Sequence, residues 1–199
     1  EALSQARVSP LYNLDEFAHT TSFWRDQNRQ APHNVYTSTA RLLEALLAYQ
    51  KGGDQGTTYE SWPYSEQIPQ STIPGSEVMI PSKDSAYEVR WQYRDALKQY
   101  ERIMAGKSHR DENGIGLQAS NVIIIKTVIN VLDEVGRREI KTMGGGEALV
   151  FRNGLAQKGI WKKQGSARPR FLNSQEQEIP LAPGITWIEV APQAAEIEY

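Results

Sequence analysis

Ala148-Leu149-Val150-Phe151-Arg152-Asn153-Gly154-Leu155-Ala156-Gln157-Lys158-Gly159-Ile160-Trp161 is the stretch that decides the fold. Asn153-Gly154 supplies two residues that accept a positive φ, which a type I′ turn between antiparallel strands requires. The apolar flanks, 148–151 and 155–161, then read as the two strands of a hairpin. Upstream, Asn121 to Val131 is rich in Val and Ile and carries one charge, Lys126. Such a run is the signature of a central strand covered on both faces. Tyr87 to Tyr93 alternates Tyr, Val, Trp and Tyr with Glu, Arg and Gln, the period of a half-buried strand whose inner face holds Trp91. Lys98 to Met104 alternates around Tyr100, and the short Arg94 to Leu97 connection suits a hairpin. Arg168 to Leu172 and Thr186 to Ala191 complete the set, the second placing the Trp187 indole in a core.

Outward from these strands the pattern changes. Thr39 to Lys51 reads as a helix, with Ser38 as N-cap, Leu42, Leu43, Leu46 and Leu47 as an apolar stripe, and Gly52-Gly53 as its end. Residues 9 to 36 read as irregular and aromatic, with one helical turn at Asn13 to His19, capped by Asn13, on which Leu14 and Phe17 share a face. Between Gly52 and Ser76 lie four Gly, three Pro, four Ser and three Thr, a composition of turns and extended chain. Tyr59, Trp62, Tyr64 and Ile68 are too apolar for a free linker, so this segment is expected to lie ordered against a surface. The expected organisation is α+β: a partial helical or α/β N-terminal portion over 1–56, a crossing over 57–76, and a mostly antiparallel β-rich domain over 77–199.

Composition narrows the function classes. Twenty-two Lys and Arg stand against 24 Asp and Glu, a net charge of -2 over 199 residues, which gives no reason to expect nucleic acid as a partner. With 39% hydrophobic residues the chain can bury a core, and disordered and collagen-like classes are excluded. Zero Cys removes disulfides, thiolate metal sites and a Cys nucleophile together. The longest apolar run is too short for a membrane helix. No phosphate loop, dinucleotide fingerprint, zinc-protease motif or nucleophile elbow is present, so no cofactor is expected. Gly144-Gly145-Gly146 is read as a bulge or a hairpin connection. The start at Glu1, without Met or signal peptide, reads as a processed form or a piece of something longer.

Phe23-Trp24-Arg25, Arg29 and Ala31-Pro32-His33-Asn34-Val35-Tyr36-Thr37 together resemble the aromatic-Arg and Pro-His-Asn-x-Tyr segment of the bacterial YerB-like lipoprotein family. Val89 to Tyr93, Tyr100-Glu101-Arg102, Gly106, His109, Asp111, Ala119 to Val122 and Pro183 to Ile188 resemble that family's C-terminal β domain in order and spacing. The resemblance implies a protein of unknown function, lipid-anchored outside the cytoplasmic membrane. It also implies that 1–56 is the C-terminal part of the family's N-terminal domain. The family's lipid-attachment Cys and its Gly-Pro-x-Arg-Ser-Ala-Arg-like stretch have no counterpart here, so membrane contact is expected only through an anchor outside these 199 residues.

The most distinctive polar cluster is Trp24, Arg25, Arg29, His33, Asn34 and Tyr36. Pro32 removes an N–H and turns Ala31 away from helical geometry, so Arg25, Arg29 and His33 do not continue along one helix. They sit on a loop that leads into the N-terminus of the 39–51 helix, where two guanidiniums and an imidazole suit a phosphate or carboxylate. The competing reading has His33 and Asn34 shape the turn while the arginines pair with Asp15, Glu16 or Asp26. His109-Arg110-Asp111 offers too few ligands for a metal and reads as a turn. Nine basic residues over 137–170 oppose only Glu139 and Glu147, a net of +7, while 171–199 holds five Glu and no base. Those stretches either neutralise one another or form a polyanion-binding face with Trp161 and Phe171 between the bases.

Three function classes follow. The first is an envelope-associated binding or interaction protein for an anionic small molecule or envelope polymer. The second is an enzyme on an envelope polymer, with His33 as acid or base and Arg25 and Arg29 steadying phosphate. The third is a purely structural scaffold. Neither the oligomeric state nor the identity of a partner is encoded in these patterns.

Overall fold

The computed structural model describes residues 14–50, 60–68 and 72–199, and the chain divides into two compact units, 1–58 and 59–199. The expected cap at Asn13, the glycines at 52–53 and two parts of the crossing, 57–59 and 69–71, lie outside the described residues.

In the first unit, Asp15 Oδ1 accepts from the N–H groups of Phe17 and Ala18 and so holds a turn, followed by a 3-10 turn over Thr20–Ser22. Strands β1 (Trp24–Arg25) and β2 (Val35–Tyr36) pair antiparallel, with Trp24 opposite Tyr36. Helix α1 (Thr39–Gln50) begins as its sequence expects, since Ser38 Oγ accepts from the Arg41 N–H at 3.4 Å. Leu43 and Leu47 of its stripe are exposed.

In the second unit the strands are β3 (Ile73–Pro74), β4 (Glu77–Ile80), β5 (Val89–Arg94), β6 (Gln99–Met104), β7 (Lys107–Ser108), β8 (Gln118–Ala119) and β9 (Asn121–Thr127). There follow β10 (Ile129–Val131), β11 (Arg138–Ile140), β12 (Gly144–Arg152), β13 (Leu155–Lys163), β14 (Arg170–Leu172) and β15 (Thr186–Pro192). One sheet runs β4-β5-β6-β7 with β8 also on β6; the larger runs β14-β13-β12-β9-β15 with β3 also on β13. All neighbours are antiparallel except β15 on β9. The unit is therefore mostly β and mostly antiparallel. Among the described residues α1 is the one α-helix, which is the extent of the helical content expected of the N-terminal portion, and no helix is long and apolar enough to cross a membrane.

Strand β9 sits between β12 and β15 and turns alternate side chains into two different cores. Val122 and Ile124 join Val78, Trp91, Tyr100 and Phe151 between the two sheets. Ile123 and Ile125 join Val150, Trp161, Phe171 and Leu181 on the other face. The apolar run expected as far as Val131 breaks at Thr127, whose Oγ1 bonds the Lys141 carbonyl at 2.7 Å. Beyond it β10 pairs only with β11 in a separate ladder that exposes Val131. Asn153 and Gly154 take φ of 52° and 72°, the positive values that the type I′ turn needs. Gly144 to Gly146 are not a connection but the first residues of β12. A Cβ on Gly146 would stand 2.5 Å from the Lys126 carbonyl oxygen and 2.8 Å from the Trp161 indole nitrogen, so the absent side chain admits that indole to its acceptor.

The inter-sheet core is pinned by polar groups. Glu189 Oε1 accepts from Trp91 Nε1 at 3.0 Å and from Arg102 Nε at 3.1 Å. Arg102 lies over both the Trp91 and Trp187 rings, which tilt against each other 5.4 Å apart, and its Nη1 is 2.5 Å from His109 Nδ1. Trp91 is fully buried, whereas Trp187 is half-buried and packs against that core. A second buried cation, Arg152, donates to the carbonyls of Ser65 and Gln67 and so ties the 65–67 stretch to β12. Burial pulls its guanidinium below the usual arginine range. Trp62 reinforces the attachment: its indole donates to the Pro169 carbonyl at 2.9 Å and stacks on Phe171.

Three stability outcomes follow from this packing. A fragment of residues 60–199 should melt in one cooperative transition, whereas 77–199 lacks Trp62 and the carbonyls that satisfy Arg152 and should melt several degrees lower. Equal melting temperatures in circular dichroism would make the 60–68 stretch dispensable. Replacing Trp91 with Ala should cost about 3–5 kcal/mol through the cavity it leaves. Glu189→Leu should cost a similar ~3–5 kcal/mol, because the Arg102 side chain, 8% exposed, loses its counter-charge. Urea titration of Glu189→Leu beside Arg102→Met/Glu189→Leu checks this: the pair should recover most of the loss.

Candidate functional site

Cross-strand pairing of β1 and β2 puts Trp24 and Tyr36 side by side, with ring centroids 6.1 Å apart and planes 26° apart. Arg41, in the first turn of α1, lies 4.8 Å over Trp24 and donates to the Thr21 and Phe23 carbonyls. Arg29 lies 5.6 Å over Tyr36, with its Nε 4.0 Å from the Asp26 carboxylate. Each guanidinium thus rests on an aromatic face, an arrangement that holds a cation at the surface without burying it.

Arg25 projects from β1 and divides its fork. Nη1 donates to Asn34 Oδ1 and Nη2 to Glu16 Oε2, each at 2.8 Å. Asn34 is buried and donates from Nδ2 to the Asp26 and Arg29 carbonyls at 3.3 Å, which closes the loop between β1 and β2. The Ala31–Pro32 peptide bond in that loop is cis. His33 follows it, exposed, with no bonded or ring partner among the described residues. Trp24, Arg25, Arg29, Asn34 and Tyr36 are therefore gathered around one short ladder, and His33 stands on the rim of its loop. The pairing of Arg25 with Glu16 and the backbone bonds of Asn34 also fit the turn-shaping reading of this cluster. Arg41 joins the cluster unannounced by the sequence, since a guanidinium in the first turn of a helix ordinarily reads as a solvated side chain.

Behind Arg41, between the 3-10 turn and α1, lies a cleft of about 450 Å³ lined by His19, Thr21, Ser22, Arg41 and Glu44. Ser22 is buried there and its carbonyl accepts from Thr37 Oγ1 at 2.7 Å, fixing the turn against the segment that leads into the helix.

The other sequence features resolve differently. The basic stretch and the acidic tail meet in part: Lys162 pairs with Glu176, and Arg168 and Arg170 both pair with Glu178. Lys126 pairs with Glu147 at 2.8 Å and holds that carboxyl below the usual glutamate range. Trp161 and Phe171, expected between the bases on any polyanion-binding face, are both buried in the second core, which leaves that face without a stacking platform. His109 bonds Arg102, while Asp111 Oδ1 accepts from the Ile115 N–H and shapes the turn after β7. Among the described residues no group of three His, Asp or Glu is placed to hold a metal ion.

Comparison with known proteins sets these features in a lineage. Residues 78–188, from β4 into β15, match the C-terminal domain of DUF3048, a protein of unknown function. The chain is 28% identical over 174 residues to YerB of Bacillus subtilis (strain 168), a lipoprotein by name, in an alignment that covers 85% of this chain and 51% of YerB. The crystal structure of the YerB protein from Bacillus subtilis superposes with a TM-score of 0.70 at 28% identity, covering 89% of this chain and 60% of that one. The chain thus spans about half the length of the curated relative it matches. The matched span covers more than half of the chain and holds most strands of both sheets, the Asn153-Gly154 hairpin and the doubly covered strand, and on that ground the chain belongs to the DUF3048 family.

Proposed function

We propose that the protein is an extracytoplasmic, envelope-associated binding protein and that the aromatic-arginine cluster of β1 and β2 receives an anionic ligand, a small molecule or an envelope polymer. One observation carries the reading: three guanidiniums, Arg25, Arg29 and Arg41, surround a single Trp24–Tyr36 stack, two of them resting on its rings. An arginine laid on an aromatic face keeps its in-plane N–H groups directed outward, the geometry that grips phosphate and carboxylate oxygens. His33 adds a further donor at the rim of the same loop. Glu16 and Asp26 moderate the positive charge, which favours a ligand of modest charge that docks and leaves over a dense polyanion. The location outside the cytoplasmic membrane is supported by the lipoprotein name of the Bacillus subtilis relative.

Titration calorimetry with phosphate, sulfate and a phosphorylated polymer tests the reading. The parent should bind at least one of them, more weakly as salt is raised. Arg29→Ala should weaken binding about tenfold and His33→Ala less, the loss expected of one charge-assisted hydrogen bond. Parent and Arg29→Ala binding alike, or neither binding, would leave the cluster a turn-stabilising network.

A further inference from the structure

The second unit carries a cleft of different chemistry. It has a volume of about 470 Å³ and lies between the 65–68 stretch and the turn that follows β14. Its lining brings together five carboxamides: Gln67 on one wall, Asn173, Gln175 and Gln177 on the other, and Gln157 of β13 at the floor. We propose that this cleft binds a neutral carbohydrate, a second ligand class beyond the anion assigned to the first unit.

The walls are built in advance. Arg152 holds the Ser65 and Gln67 carbonyls from below, and Ser65 Oγ accepts from the Gln67 N–H at 3.1 Å. Across the cleft, Asn173 Oδ1 accepts from the N–H groups of Gln175 and Gln177, both at 2.9 Å, while its amide reaches toward the Gln177 side-chain oxygen. These bonds fix the backbone that carries Gln67, Gln175 and Gln177, which removes part of the entropy cost of binding.

The chemistry selects an uncharged partner. A carboxamide offers two donors and an acceptor, as vicinal hydroxyls offer both, so the two groups pair without any charge to neutralise. The cations near the cleft are committed: Arg152 to two carbonyls, and Arg168 and Arg170 to Glu178, the one carboxylate among the described lining residues. Exposed Ile68 and half-buried Pro180 supply the apolar contact that the C–H face of a sugar ring requires. An extended peptide that docks by strand addition would need an open strand edge to pair with. On this side that edge is closed, because Leu172 pairs with Glu178 and the Ile179 N–H donates to the Phe171 carbonyl at 2.7 Å.

The test is titration calorimetry of the intact chain against neutral β-linked oligomers of N-acetylglucosamine, glucose and mannose, with a phosphorylated polymer and an extended peptide as comparison ligands. At least one neutral oligomer should bind saturably, with an affinity that raised salt leaves unchanged. Gln67→Ala/Gln177→Ala should weaken it about tenfold with an unaltered melting temperature, since both side chains are exposed. Arg29→Ala should leave it intact, which separates this site from the anion cluster. Absence of binding by all three oligomers, binding that survives the double substitution, or saturable binding of the peptide or phosphorylated polymer alone would overturn the assignment.

Discussion

Strand β9 belongs to two cores at once, and the second unit is arranged around that constraint. Val122 and Ile124 face one apolar layer and Ile123 and Ile125 the other, so neither layer can shift without moving the shared backbone. The flanking strands are fixed in register against it, Val150 opposite Ile123 on one side and Ile188 opposite Ile123 on the other. A single slip of one residue would exchange the two cores, which is why a doubly buried strand specifies its pairing so strongly. Asn121 guards the start of the strand: it is fully buried, donates to the Ala182 carbonyl and Thr186 Oγ1, and accepts from the Ala182 N–H.

The buried cations divide the polar work. Arg102 faces a carboxylate, an imidazole and two indole rings between the sheets, and it locks their relative position through groups from β5, β6 and β15. Among the described residues Arg152 donates to carbonyls alone, so it fixes a loop by neutral acceptors in place of a counter-charge. Breaking either arrangement strands a charge in an apolar setting, a larger penalty than the hydrogen bonds themselves are worth. The surface cluster of the first unit works on the opposite principle. There Arg29 and Arg41 lie on aromatic faces and stay exposed at the surface.

What could be read in the sequence and what could not separate along physical lines. Asn153-Gly154 fixes a hairpin by local dihedral chemistry, and β5 announces itself by its alternation, so both were legible without tertiary information. The end of β9 was not, because the break at Thr127 depends on a hydrogen bond to Lys141, far along the chain. Gly146 of the triple glycine was opaque for a similar reason: its missing side chain admits the Trp161 indole, which only the folded sheet brings near. At the candidate site the aromatic and arginine residues stood out by type and spacing. Glu16 and Asp26 were among the carboxylates expected to pair with the arginines, but Arg41 over Trp24 was not foreseen, because it comes from a helix whose direction no local pattern encodes. The carboxamide cleft was invisible for the same cause, being assembled from three separated stretches of chain.

The parallel pairing of β15 with β9 bears on the order in which the molecule is made. The strand at the centre of the sheet is complete at Thr127, yet one of its two edges is closed only by residues 186–192. While the chain emerges from N- to C-terminus, the most apolar segment of the protein is therefore unpaired until β12 is made and keeps one edge open until residues 186–192 follow. A nascent chain in that condition presents an open hydrophobic edge, which invites pairing with other chains and slows commitment to the final fold. The same delay keeps the polypeptide unlocked until its last strand arrives.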